Sequence, residues 1–230
     1  MSRKKEIIQT LERKAFTKQK VFALTDDYFN QLKLILAKLC EEYRNDLDGE
    51  EVKKKVEIGF KSRSKYEAQF KFSGDTLVFH MHTNVFRFDE QHRLWQSSYL
   101  REDELRAYCG VINIYNFLSD SLKYNRMNDA GYLIGRIFIN KDGHFFLEGK
   151  KQLGFVFNRF DQDKLNKENL REIVEACIMF SLDFDLYTPK FERVQMVSVN
   201  QILELGNNLK LRTEKRLGFE FNFRNKDTTA

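Results

Sequence analysis

Between Tyr66 and Phe72 the chain alternates strictly: Tyr66, Ala68, Phe70 and Phe72 are separated by Glu67, Gln69 and Lys71. Successive side chains on a strand point to opposite faces, so this period of two buries one face of a strand. The pattern returns after the turn Ser73-Gly74-Asp75, at Leu77, Phe79 and Met81, and continues through Val85-Phe86-Arg87-Phe88. Residues 111–117 and 132–139 are dense in β-branched and aromatic types, which pack well on a pleated surface. Asn140-Lys141-Asp142-Gly143 predicts a hairpin with a primed turn leading into Phe145, Phe146 and Leu147. Further short strands are expected at 153–157, at 191–199 and at the alternating Phe219, Phe221 and Phe223.

Elsewhere the apolar period changes to that of a helix. Ile7, Ile8, Leu11 and Ala15 form a narrow stripe on a basic helix. Thr25 is placed to cap a second helix, with Asp26 and Asp27 in the first turn, where the helix dipole favours acids. Its apolar face is Phe29, Leu32, Ile35, Leu36, Leu39, Cys40 and Tyr43, and Asp46-Leu47-Asp48-Gly49 ends it. A third helix begins at a cap on Asn166 and buries Leu170, Ile173, Val174, Cys177, Ile178 and Ser181. Met179, Phe180 and Leu182 make its last turns apolar all round, which predicts that this end is buried too.

Strands in runs, with helices set apart, indicate an α+β fold rather than strand–helix alternation. The expected architecture is a mainly antiparallel sheet of roughly six to nine strands, with N-terminal helices and one later helix packed on it. The chain holds a single proline, Pro189, and no Gly/Ser-rich stretch to act as a linker, so one domain over 1–230 is expected. It divides into an N-terminal helical arm, 1–47, and a sheet-based body, 52–230.

Cys40, Cys109 and Cys177 are far apart, without CxxC spacing, and each sits in an apolar stretch, so three buried thiols are expected. No apolar run approaches the length of a transmembrane helix, and the basic start lacks the apolar core of a signal peptide. A cytoplasmic protein is expected. The formal net charge of +5 is concentrated in residues 1–20, where seven cations face only Glu6 and Glu12. The arm is therefore basic and the body close to neutral.

Motif chemistry is sparse. Phosphate-binding GxxxxGK[ST], GxGxxG, HExxH and GxSxG are all missing, and no cofactor is expected. Gly131 and Gly135 have the GxxxG spacing, which in a strand points to close backbone approach or a bulge. His80 and His82 are two apart on a strand and so share a face, where they could hold a metal with help from Asp89, Glu90 or His92. The same pair reads equally as strand residues opposite a core face of Leu77, Phe79 and Met81. Asp161 with Asp163, and Asp183 with Asp185, pair carboxylates of the kind that bind hard cations or share acid–base work. Helix-end electrostatics also account for the first pair.

Three functions follow as expectations. The first is a non-enzymatic protein-interaction or self-association module, because 22 phenylalanines give the sheet more aromatic positions than three helices readily cover. A protein partner or a second copy of the chain is the implied occupant. The second is nucleic-acid binding by Arg3, Lys4, Lys5, Arg13 and Lys14, extended by Arg63, Lys65, Arg212, Lys215 and Arg216. The third is a metal-dependent enzyme using His80 and His82.

Overall fold

The structure, a computed structural model, describes residues 2–127, 129–150 and 157–184, with Leu153 and five isolated positions between 191 and 199. The strands expected at 191–199 and at Phe219, Phe221 and Phe223 lie outside the described residues, isolated positions apart.

A single helical rod opens the chain: α1 (Arg3–Thr10), a π-helical turn (Leu11–Ala15) and α2 (Phe16–Asp46). The second helix therefore does not begin at Thr25. That residue is fully buried inside α2, where its hydroxyl donates to the Val21 carbonyl at 2.7 Å. A threonine capping a helix and one bonding back to the preceding turn look alike in sequence. The rod stops at Asp46, and Gly49 takes φ +82 before the short α3 (Glu50–Lys55).

Seven strands follow: β1 (Ile58–Ser64), β2 (Glu67–Phe72), β3 (Asp75–Met81), β4 (Phe86–Arg87), β5 (Tyr108–Leu118), β6 (Tyr132–Asn140) and β7 (Phe145–Gly149). They form one antiparallel sheet in the order β1-β2-β3-β5-β6-β7, with β4 pairing the start of β5. The α+β architecture expected from the sequence is present. Between β4 and β5 lies the short α4 (Ser98–Glu102), after β5 comes α5 (Ser119–Lys123), and α6 (Lys167–Leu182) is the later helix.

One sheet face carries Ala68, Phe70, Phe72, Leu77, Phe79, Met81, Ile112 and Ile114, and it buries them under α2 and α6 in the main core. Asn166 caps α6 by accepting the Asn169 amide at 2.8 Å, and the six buried side chains of α6 are those its periodicity selects. Its last turns differ from expectation, because Met179 is 57% and Leu182 54% exposed. Arg171 clasps Glu42 with both Nη atoms, at 3.3 and 2.7 Å, which ties α6 to α2.

The opposite face is not left bare. Val111, Cys109, Phe138 and Phe146 pack with Leu100, Ala107 and Phe160 in a second cluster, supplied by the chain between β4 and β5 and by the loop after β7. Phe138 and Phe146 stack at 4.9 Å and 8°, and Phe88 and Phe160 close on them. The aromatic surplus of the strands thus fills a second core rather than an open patch. Cys40, Cys109 and Cys177 are buried free thiols. At the far end of this face Phe117 lies where a side chain at Gly131 would be, with a Cβ there only 2.3 Å from the ring. Gly131 therefore marks a close approach.

The β6–β7 turn departs from the primed type. Only Gly143 has positive φ (+77), whereas a type I′ turn needs two such residues. Asn140 organises the turn instead: its Oδ1 accepts the amides of Asp142 at 2.9 Å and His144 at 3.1 Å.

Candidate functional site

A cleft of about 560 Å³ opens where the helical rod passes over this turn. One wall is the ridge Lys20, Leu24 and Tyr28, whose i, i+4 spacing brings them onto one side of α2. The floor is the turn itself, Lys141 to His144. Gly143 keeps the floor low, because a Cβ there would sit 3.1 Å from Tyr28 Oη and 3.9 Å from Leu24 Cδ2. Tyr99 and Arg106 form the third side, and Lys164 joins through a bridge between His144 and Lys164.

The polar groups around the cleft hold one another in place. Tyr99 Oη accepts Asn140 Nδ2 at 2.9 Å and donates to Asp142 Oδ2 at 3.3 Å. Its ring stacks on His144 at 5.0 Å and 19°, and the Arg106 guanidinium lies 4.2 Å from its centroid. Burial, outweighing the hydrogen bond from Asn140, pushes the Tyr99 hydroxyl up to about 12. Arg106 donates from Nε to Asp142 at 3.1 Å, and from Nη1 to the Tyr99 carbonyl at 2.8 Å and to Glu102 at 3.0 Å. Lys141 pairs with Asp103. Burial raises the Asp103 carboxyl, but the hydrogen bonds from Lys141 and from the Leu105 amide outweigh it and hold the group below its ordinary range. His144 Nδ1 lies 3.1 Å from the Phe160 carbonyl. A carbonyl only accepts, so Nδ1 carries the proton and Nε2 is left for other contacts.

The rod continues past the cleft as an arm. No residue of α1 or of the π turn is buried. Ile7, Ile8, Leu11 and Phe16 are 52, 45, 52 and 65% exposed. The Phe16 amide reaches back five residues to the Leu11 carbonyl, so Phe16 stands above Leu11 on the same side. Ile7, Leu11 and Phe16 form one ridge, which runs on at i, i+4 spacing into Lys20, Leu24 and Tyr28. Arg3, Lys4, Lys5, Arg13 and Lys14 all lie on this exposed arm.

The other sequence candidates are placed as follows. His80 lies opposite Asn113 and Glu67, and the His82 amide donates to Val111, so the two histidines share the second sheet face. His82 Nδ1 accepts the Asn84 amide at 3.0 Å and its ring packs on Phe86 at 4.7 Å. His92 stacks on Phe88 at 4.6 Å, and Asp89 Oδ1 accepts the Gln91 amide at 2.9 Å. Among the described residues no three His, Cys, Asp or Glu side chains gather as metal ligands would. Asp161 is exposed while Asp163 accepts from Arg159 at 3.4 Å; Asp185 lies outside the described residues, as do Arg212, Lys215 and Arg216. Lys65 pairs with Asp26 at 3.5 Å, and Arg63 is exposed at the end of β1.

Sequence spacing gives no hint of the cleft. Tyr99, Arg106, His144 and Lys164 come from four separate segments, and only the turn and the α2 ridge bring them to one place. Among the described residues, no helix is long and apolar enough to cross a membrane. Comparison with family models, with curated proteins and with solved structures finds no match to this chain.

Proposed function

We propose that the protein is an interaction module whose projecting helix docks into an apolar groove with an acidic rim on a partner protein. One observation carries this: Ile7, Ile8, Leu11 and Phe16 are about half exposed on a helix that buries nothing of its own before Thr17. Burying the exposed half of each is worth about 1 kcal/mol, or about 4 kcal/mol for the set. Taken alone that corresponds to a dissociation constant of about 1 mM, so flanking charge has to assist. The cations of the arm outnumber Glu6 and Glu12, which favours an acidic partner and sets a second copy of the arm against itself. Anchors spaced along one helical ridge are how an amphipathic helix fills a groove.

Nucleic acid would satisfy the same cations, yet it has no use for the apolar ridge. A photo-crosslinking residue placed at position 7, 11 or 16, in cells that express the protein, separates these readings. Position 34 is the control, since Leu34 is 70% exposed on the body of α2. Expected are protein adducts from the ridge positions, none from position 34, and their loss in Arg13→Glu/Lys14→Glu. Equal labelling at position 34, an adduct that is a second copy of the chain, or one that is nucleic acid would each overturn the assignment.

A further inference from the structure

The cleft beside the arm has chemistry of its own, separate from the apolar anchors Ile7, Ile8, Leu11 and Phe16, none of which lines it. Its lining is polar: only Leu24 and Gly143 bring no polar side-chain group, so an apolar ligand finds little to cover it. Its cations are not equivalent. Lys141 is matched by Asp103, and Arg106 by Glu102 and Asp142. Lys20 and Lys164 are both exposed on the lining and hold no ion pair among the described residues. Two uncompensated ammonium groups, on separate elements that face one cleft, suit a dianion.

Hydrogen-bond donors accompany the charge. Arg106 commits Nε and Nη1 to the protein, which leaves the two N–H groups of Nη2 without a partner among the described residues. Asp142 and Tyr99 hold that guanidinium in place, so its remaining fork is oriented in advance. Tyr99 is already engaged by both His144 and Arg106, so the cleft offers charge and hydrogen bonds rather than a free ring on which a base could stack.

We propose that this cleft binds a small phosphate monoester, its phosphate neutralised by Lys20 and Lys164 and hydrogen-bonded by Nη2 of Arg106. A phosphate monoester carries close to two negative charges at neutral pH and three acceptor oxygens, whereas a carboxylate carries one charge and two. The cleft volume of about 560 Å³ suits a ligand of sugar-phosphate size and excludes nothing smaller.

The test is calorimetric titration of the full chain at low ionic strength with glycerol phosphate and with inorganic phosphate, against acetate at matched ionic strength. Lys20→Ala and Lys164→Ala remove exposed groups, and unchanged thermal melts confirm that each variant folds. Each is expected to weaken glycerol phosphate binding by about ten-fold, the loss of one charge-assisted contact. Lys4→Ala, on the arm, is expected to leave it unchanged, as is Leu11→Glu, so this site and the docking ridge succeed or fail separately. Tighter binding of glycerol phosphate than of inorganic phosphate supports a monoester with room for its organic part. Binding of acetate as tight as that of glycerol phosphate, or variants that bind like the natural chain, would overturn the proposal.

Discussion

Gly110 sits in β5 directly beneath α2, and a methyl group there has nowhere to go. A Cβ at this position would lie 2.0 Å from Thr25 Oγ1, 2.8 Å from its Cβ and 2.9 Å from its Cγ2. Thr25 cannot swing aside, because it is fully buried and its hydroxyl is held by the Val21 carbonyl at 2.7 Å. The helix itself must lift from the sheet by about 1 Å or more. On an open strand Gly→Ala stabilises, by roughly 0.5–1 kcal/mol, so the sign of the effect is diagnostic. Overpacking a rigid core costs about 1–3 kcal/mol, and a clash with three atoms of a buried, hydrogen-bonded side chain puts Gly110→Ala near the upper end, about 3 kcal/mol. For a chain of this size that lowers the melting temperature by roughly 6–12 °C. The partner substitution Thr25→Gly removes the obstacle, at its own cost in helix propensity. In urea titrations followed by circular dichroism, the double variant is expected to be more stable than the sum of the two single losses by at least about 1 kcal/mol. A Gly110→Ala variant within about 0.5 kcal/mol of the natural chain, or strict additivity in the cycle, would refute the contact.

Three further outcomes follow from the packing and the ion pairs. Burial pushes the Cys109 and Cys177 thiols up, Cys177 to about 12, and Cys40 is only 5% exposed; a thiol reagent is therefore expected to label nothing in the native protein and three groups in guanidinium, and rapid native labelling would contradict the buried assignment. Glu42 is held below the usual carboxylate range by its hydrogen bonds from Arg171. Its stabilising contribution is thus complete above the ordinary glutamate value and is lost as pH falls through the lower folded value, so Glu42→Gln should flatten the acid limb of urea midpoint against pH; an unaltered limb would count against the pair. Phe146→Ala empties the centre of the second aromatic cluster and is expected to cost about 4 kcal/mol, with a shift in the fluorescence of Trp95, which borders that cluster; an unmoved emission spectrum would show the two to be uncoupled.

The body of the fold was legible because its signals are local and repeated. Alternation in β2 and the buried face of α6 can each be read along one segment, and the structure buries the same residues. The rod was harder. The stripe Ile7, Leu11, Ala15 is in phase with Phe29, Leu32 and Leu36 at 3.6 residues per turn, so nothing in the pattern marks the π turn, and Thr25-Asp26-Asp27 reads as a capped helix start. A π turn shifts phase without ending the helix, since it inserts one residue while the hydrogen bonds continue. The β6–β7 turn was found but mistyped, because Asp-Gly serves both a primed turn and a turn that closes on a left-handed glycine, and the choice rests with the Asn140 side chain. Nothing short of the folded topology assembles the cleft. Arg106 and Lys164 are 58 positions apart in the chain and belong to no common period.

The π turn also gives the molecule an adjustable joint. Removing one residue from Leu11–Ala15 would restore an ordinary helix and rotate everything before it by about 100°, while leaving every buried side chain from Thr17 onward where it is. The direction in which the arm offers Ile7 and Leu11 is therefore set by a single residue of chain length, separately from the stability of the body. A lineage could re-aim the arm at a different partner by one insertion or deletion, without disturbing the core or the cleft wall that continues the same helix.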